Sequence, residues 1–227
     1  MTPTIISNLE EISDAVKLSD EPLVLYGVSW DDYINLLEET PGQRYPKFTY
    51  YNGVLKVMGK QGTLHENISR FLYNLILLTS LIMRVKAVPV GSMSLVSKRR
   101  SKGADPDESF YIQNADKVTF KTALFDDEKD TPPDLVIEVD ETSKSSEKFT
   151  IYADFGIREF WRFDKKSLKI YELDEFSSYR EIDRSVAFPI LSVEILNEFL
   201  TRRANGDQFD ALLDFENWLR EQTQQQN

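Results

Sequence analysis

The stretch "PPDLVIEVDETSKSSEKFTIYADFGIREFWRFD", residues 132–164, decides the fold. It predicts a buried strand, a helix over about 145–155 and the start of a hairpin that breaks at Asp164-Lys165-Lys166. Two carboxylates, Asp134 and Glu138, stand on one face of the otherwise apolar strand. A buried carboxylate is costly unless a cation pairs with it or is coordinated by it. The strand therefore indicates either a core salt bridge or a metal site.

The rest of the chain alternates helical and extended patterns. Asn52-Gly53 is a strong hairpin signal between two strand-like runs, because both central residues of such a turn need positive φ. The other predicted elements are a helix over about 30–39, a long central helix over 65–84, a strand within 85–97, a charged loop over 125–133 and two C-terminal helices separated by Asn205-Gly206. This order predicts an α/β or α+β fold, a sheet flanked by helices.

The composition excludes several kinds of site. The 227 residues, 41% of them hydrophobic, can bury one good-sized core. The chain has no cysteine, which excludes disulfides, a thiolate nucleophile and zinc-thiolate sites. The single histidine, His65, excludes a multi-histidine metal site. Any metal would be bound mainly through oxygen, which favours magnesium or manganese.

Hydropathy and charge limit the partners. The longest apolar stretch, 71–83, has 13 residues, whereas a membrane span needs about 20. With no secretory signal, we expect a soluble, cytoplasmic protein without membrane contact. The net charge of −11 opposes indiscriminate phosphate binding. The basic turn, defined as Lys98, Arg99, Arg100 and Lys102, is still the best candidate for contact with nucleic acid, the alternative being a solvated loop.

A second carboxylate is needed near Glu138 for a metal site. Four strand residues rise by about 13 Å, so Asp134 cannot share an ion with Glu138 unless the strand buckles. Asp134 would instead cap the strand or brace the site. Asp107 follows Pro106 at the start of another strand and could approach Glu138 from the adjacent ladder. Two acids, one backbone carbonyl and water form an ordinary magnesium site.

Other polar side chains could complete such a site. Lys144 and Lys148 follow Glu138 by six and ten residues, and either could fold back over a metal ion or remain a solvated surface lysine. His65 could face the site or bond to a backbone group, and we favour the backbone interpretation.

Four segments taken together resemble the Uma-two family of endonucleases, which is placed in the PD-(D/E)XK, or restriction-endonuclease-like, superfamily. In chain order they are "KFTYYNGVLKVM", "LHENISRFL", "GADPDESFYI" and the opening stretch, and the similarity runs over about residues 28–175. The resemblance implies a mixed sheet flanked by helices, DNA as the substrate and magnesium-dependent cleavage of phosphodiester bonds. We accordingly expect an N-terminal extension over 1–27, a nuclease-like core over 28–190 and a helical tail over 191–227 packed on that core.

Family roles can be assigned residue by residue. The proline-aspartate motif of the family falls on Pro106-Asp107, and its strand glutamate falls on Glu138. The resemblance implies catalytic roles for Asp107, Glu138 and Lys148, and metal ligation by Asp107, Glu138 and the carbonyl of Val139. The family's lysine then comes from the helix after the strand.

Two positions depart from the family pattern. Asp140 stands where a lysine is expected on the strand, so the lysine role passes to Lys148 or Lys144. Thr49 stands where many relatives carry an acid in the first hairpin strand, which removes a further metal ligand.

Two hypotheses follow from these patterns. The first is a magnesium-dependent DNA endonuclease. The second is a catalytically inactive binding or assembly module on the nuclease scaffold. The missing strand lysine, the acidic balance and two candidate surface aromatics, Trp161 and Trp218, would suit it. A homodimer is possible by analogy with other nuclease folds.

Overall fold

The structure is a computed structural model that describes residues 12, 21–40, 45–91, 93–118, 124–127, 129–140 and 146–224. Over these ranges the α-helices are α1 (Trp30–Glu39), α2 (Thr63–Met83), α3 (Ser146–Asp154), α4 (Val193–Asn205) and α5 (Gln208–Gln224). The strands are β1 (Leu23–Tyr26), β2 (Lys47–Tyr51), β3 (Val54–Met58), β4 (Val88–Pro89), β5 (Ser94–Ser97), β6 (Lys102–Ala104), β7 (Glu108–Tyr111), β8 (Leu124–Asp126), β9 (Leu135–Asp140), β10 (Glu159–Asp164), β11 (Leu168–Leu173) and β12 (Tyr179–Ile182).

The first sheet has the strand order β1-β3-β2-β6-β5-β8. The predicted hairpin joins β2 and β3, and its turn residues Asn52 and Gly53 have φ values of 47° and 82°. Helix α1 begins as predicted after Ser29, whose hydroxyl accepts the backbone N–H of Asp32 at 3.1 Å. A cap of this kind satisfies one of the free donors at the helix start, and so fixes where α1 begins.

The second sheet has the strand order β12-β11-β10-β9-β7-β4. Strands β9 and β10 are parallel and are connected through α3, while β7 runs antiparallel to β9 on its other side. All six residues of β9 are buried, as expected for a central strand covered on both faces. The mixed α/β architecture is therefore confirmed, with the strands divided between two sheets.

The largest core packs helices on the second sheet. Helix α2 is buried on more than one side, as predicted, and contacts both β9 and α5. Helices α4 and α5 contribute Phe199 and Phe215, whose ring centroids lie 5.0 Å apart in an edge-on arrangement. Each fully buried side chain of this size contributes roughly 1.5–3 kcal/mol. This packing fixes α2, including its first turn, against the second sheet.

Three local expectations were wrong. The single strand expected within 85–97 is two strands, β4 and β5, which belong to different sheets and are separated by Gly91 with φ 60°. The loop expected over 125–133 overlaps β8. Trp161, a candidate surface aromatic, is 0% exposed in the core. Trp218 is partly buried against Phe215.

None of the helices in the described ranges has the length and apolar character to cross a membrane.

Candidate active site

The chain crosses from the first sheet to the second at Asp105, Pro106 and Asp107. Strand β6 ends just before this crossing, and β7 begins just after it. The Asp105 carboxylate accepts the backbone N–H of Phe48 at 2.8 Å, which anchors the crossing to β2. The β7–β9 register pairs Glu108 with Ile137. Continued by one residue, this register sets Asp107 opposite Glu138, so the predicted neighbourhood of the two strands is confirmed.

Glu138 is 1% exposed and bonded by two side chains of α3. Its Oε2 accepts a hydrogen bond from Lys148 Nζ at 2.5 Å, and its Oε1 accepts one from the Tyr152 hydroxyl. Lys148 and Tyr152 are four residues apart, so they share the helix face that is turned to β9. Burial raises the pKa of Glu138 to about 7, the charge of Lys148 opposes this, and the charge of Asp107 adds to it.

Asp107 has donors on both carboxylate oxygens. Lys47 Nζ contacts Oδ1, while Oδ2 accepts the backbone N–H of Val139 at 2.7 Å and lies 3.1 Å from His65 Nε2. Burial acts to raise the pKa of Asp107, but the charge of Lys47 and the hydrogen bond from His65 outweigh it. The pKa lies well below its usual range, so Asp107 is a permanent anion at neutral pH.

His65 faces the site, contrary to the backbone interpretation. It lies in the first turn of α2 and is 2% exposed. Burial acts to lower its pKa, but the hydrogen bond and the charge of Asp107 together raise it. His65 therefore holds Asp107 from the side of α2. The position of the carboxylate thus depends on how that helix packs.

These groups line an open cleft between the two sheets. Lys47, Asp107, Glu138 and Lys148 all border this cleft. At the mouth, the ammonium of Lys56 pairs with Glu147 across the gap between β3 and α3. The acids are thus buried at their strands yet accessible from one side.

The lysine predicted for the site comes from α3. Lys148, predicted from the sequence, contacts Glu138, with 15% of its side chain exposed. Lys144 lies outside the described residues. Asp140, which replaces the expected strand lysine, accepts a hydrogen bond from Arg162 Nε at 2.6 Å.

Sequence reasoning missed Lys47. It looked like an ordinary solvated residue at the edge of a hairpin, because its partner Asp107 lies 60 residues further along the chain. A weak signal was present, since Lys47 and Thr49 alternate with the apolar positions of β2. Only the pairing of β2 with β6 brings Lys47 to the crossing.

The basic turn lies at the other end of β6, away from the crossing. Arg99 and Arg100 have guanidinium nitrogens 3.7 and 3.8 Å from Asp127. Lys102 is buried, pairs with Asp154 and lies 4.8 Å from the centre of the Tyr51 ring.

Contact between this turn and nucleic acid stays a prediction, and the structure places Lys98, Arg99 and Arg100 where solvent reaches them. Lys102 instead serves the packing of α3.

Asp134 caps the start of β9, the first of its two predicted roles, and does not brace the site, which was the second. Its Oδ2 accepts the backbone N–H groups of Ile112 and Asn114 at 2.6 and 2.9 Å, and its Oδ1 accepts the amide of Asn114 at 2.5 Å. This carboxylate closes the turn after β7 and does not join the cleft.

The donor set beside the crossing suits a hard cation. Within the described ranges, no three His, Asp or Glu side chains form a metal-sized group. Asp107 and Glu138 would therefore need the Val139 carbonyl and water to complete a shell, which is an all-oxygen set of the kind that magnesium accepts. The ammonium groups now on the two carboxylates mark where positive charge is stabilised.

The fold and the crossing site place the chain in the nuclease-like class of mixed α/β folds. The chain belongs to the Uma2 family, described as "Putative restriction endonuclease", whose model matches residues 30–201. The resemblance found in the sequence is thereby confirmed.

A solved structure supports the fold. It is a protein from Anabaena variabilis ATCC 29413, described as "a putative nuclease belonging to DUF820", with a TM-score of 0.53 and 17% identity over 75% of this chain and 98% of that chain. No match is found among curated proteins.

Proposed function

We propose that the protein is a metal-dependent endonuclease that hydrolyses phosphodiester bonds in DNA. The observation that carries the proposal is the pair of buried carboxylates, Asp107 and Glu138, that face each other across β7 and β9 beneath Lys148 and open to a cleft. Membership of the Uma2 family supports the same reaction class.

Asp107, Glu138 and the carbonyl of Val139 would hold magnesium or manganese. When bound, such an ion polarises a phosphate oxygen and lowers the pKa of a water molecule that attacks the phosphorus. The side chains of the site hold the ligands in place before any ion arrives. Tyr152 donates to Glu138, and His65 and the Val139 N–H donate to Asp107.

Lys148 acts as a fixed cation. Burial acts to lower its pKa, but the charge of Glu138, followed by those of Asp107 and Asp140, raises it above its ordinary value. The two carboxylates of the candidate site thus stabilise the ammonium form of Lys148. It orients the attacking water and stabilises the negative charge that develops on the phosphate oxygens.

DNA binding would use solvent-exposed cations outside the cleft. Lys98, Arg99 and Arg100 of the basic turn fit this role, since contacts with phosphates position a duplex without reading its sequence. Lys102, which is buried against Asp154, is left out of this surface.

The alternative of an inactive binding module has less support. It relied in part on the candidate surface aromatic Trp161, which is buried. It also relied on the missing strand lysine, whereas Lys148 reaches Glu138 from α3.

Calorimetric titration of Mg²⁺ and Mn²⁺ into the wild type and Glu138→Ala, followed by incubation with supercoiled plasmid, tests the proposal. We expect cation binding and nicking in the wild type and neither in the variant. Glu181→Ala, which removes an exposed carboxylate of β12, is the matched control and should retain both. Nicking that persists unchanged in Glu138→Ala would overturn the proposal by pointing to a contaminant.

A further inference from the structure

Lys47 is a buried lysine in the middle of the candidate site. It is 7% exposed, and its Nζ contacts both Asp107 Oδ1 and the carbonyl oxygen of Pro106, the latter at 3.1 Å. We propose that the Lys47 ammonium adds a positive charge to that of Lys148 in this active site. The site therefore takes one divalent cation rather than two. The inference rests on the proposed function and deepens it.

The existing contacts show which donor must give way to a cation. The Val139 N–H on Asp107 Oδ2 belongs to the backbone of β9 and cannot move independently of the sheet. His65 is held in the first turn of α2. The long side chain of Lys47 is the flexible donor, and Oδ1 is the oxygen it releases. A divalent cation and Lys47 therefore compete for Asp107.

Lys47 has two places to go without leaving the cleft. The Pro106 carbonyl keeps hold of its Nζ from one side. Asp105 borders the same cleft, is 7% exposed, and its Oδ1 has no hydrogen-bond partner among the described residues. A displaced ammonium would thus remain beside the crossing, where a substrate phosphate can meet it.

The charges around the cleft disfavour a second ion. In the part of the chain that the structure describes, no third carboxylate joins Asp107 and Glu138 in a metal-sized group. The next cleft residue along β2 is the neutral Thr49. Two ammonium groups, from Lys47 and Lys148, already oppose the two carboxylates. Of the other acids that border the cleft, Asp140 pairs with Arg162 and Glu147 pairs with Lys56, so a second divalent ion would have to displace a further ion pair.

The inference predicts opposite effects on binding and on cleavage. Lys47→Met removes the competitor, so Mn²⁺ should bind about tenfold more tightly. It also removes a positive charge that faces the phosphate, so cleavage should fall about a hundredfold. A purely structural lysine would give weaker binding and slower cleavage together.

The experiment is calorimetric titration of Mn²⁺ into the full chain, with plasmid nicking and thermal melts measured in parallel. We expect one Mn²⁺ per chain in the wild type. If Lys47→Met fails to fold, Lys47→Gln replaces it, because it keeps a donor but not the charge. Lys47→Gln should show the same tighter binding of Mn²⁺. Lys56→Met is the matched control, because Lys56 borders the same cleft but pairs with Glu147. It should change the Mn²⁺ affinity by less than about twofold, because its charge is paired with Glu147 and not with a proposed metal ligand.

Two Mn²⁺ ions in the wild type, or unchanged or weaker Mn²⁺ binding in folded Lys47 variants, would overturn the inference. The proposed function fails by a different result, which is Mn²⁺ binding by the wild type without any nicking of DNA. In that case the stoichiometry and the shift in affinity still test the role of Lys47. No Mn²⁺ binding in any variant would overturn both.

Discussion

Two buried glutamates on neighbouring strands, Glu138 of β9 and Glu159 of β10, differ in their partners. Each is 1% exposed, and burial raises the pKa of each above its ordinary value. Glu159 accepts the indole N–H of Trp161 at 2.5 Å and the backbone N–H of Ala187 at 2.7 Å. Its donors are neutral and belong to the packed interior. They tie β10 to the segment that precedes α4.

Glu138 is bonded by a cation and opens to a cleft. Its partners are the Lys148 ammonium and the Tyr152 hydroxyl, and Asp107 lies opposite. The comparison teaches that burial and a raised pKa do not by themselves mark a functional carboxylate. A charged partner and a place on the cleft distinguish Glu138, the carboxylate that we propose as a ligand, from Glu159.

Exchanging each glutamate for its amide is the strongest test of this difference. Glu138→Gln should lower metal-dependent cleavage by about a thousandfold, because the amide does not replace a carboxylate as a ligand. Glu159→Gln should leave cleavage per folded molecule within about twofold, yet lower the free energy of unfolding by about 1–3 kcal/mol, because its NH₂ group faces N–H donors. Plasmid nicking and urea unfolding measure the two effects.

The reverse pattern would break the comparison. If Glu159→Gln abolished cleavage while remaining folded, the core glutamate would belong to the site. If Glu138→Gln affected stability alone, Glu138 would be a paired core residue.

The hydrogen bond from Tyr152 to Glu138 gives a second test, within the candidate site, of the difference between the two glutamates. Tyr152→Phe removes the hydroxyl donor from Glu138 Oε1 and should slow cleavage about tenfold, since one hydrogen bond to a charged group is worth about 1.5–3 kcal/mol. Tyr179→Phe is the matched control. Its hydroxyl donates at 2.6 Å to the carbonyl of Ile157, away from the acids, and both tyrosines pack on Phe160. Equal slowing in both variants would show that aromatic packing, rather than the contact with Glu138, controls the rate.

The smallest expected effect is a pH dependence of stability from Glu159. Burial raises its folded pKa above the ordinary 4.5, although hydrogen bonds from Trp161 and Ser185 oppose this. The folded state therefore binds this proton more tightly than the unfolded chain does. The resulting stabilisation is full below pH 4.5 and is lost as the pH rises through the folded pKa.

Urea unfolding of the wild type and Glu159→Gln from pH 4.5 to 8 measures this contribution. The free-energy difference in favour of the wild type should shrink as the pH rises. A difference that grows with pH would mean that the ionised form is the one that the fold stabilises.

Local signals were enough to predict much of the fold. The cap at Ser29, the Asn52-Gly53 turn and the lysine break after Asp164 each fix an element through its own neighbours in the chain. Asp107 and Glu138 could be brought together because each sits at a recognisable place on a strand. The division into two sheets was not visible, because it depends on which distant strands pair.

The missed residue Lys47 and the wrongly interpreted residue His65 share one physical cause. Lys47 and His65 meet Asp107 across 60 and 42 residues of chain. Beyond the weak alternation around Lys47, their own neighbourhoods do not distinguish them from a surface lysine and a structural histidine. Their roles depend on the register of β2 with β6 and on the packing of α2, both of which are tertiary properties.

The crossing between Ala104 and Glu108 also constrains how such a chain can vary. The segment supplies an acid of the site and changes sheet within three residues. Inserting or deleting one residue there would turn Asp107 to the opposite face and part it from Glu138, because side chains alternate along an extended backbone. The hairpin turn at Asn52-Gly53 lies at the other end of β2 from Lys47, the β2 residue that contacts Asp107. Among relatives of this chain, we therefore expect the number of residues to be constant at the crossing and to vary in the turns that lie far from it.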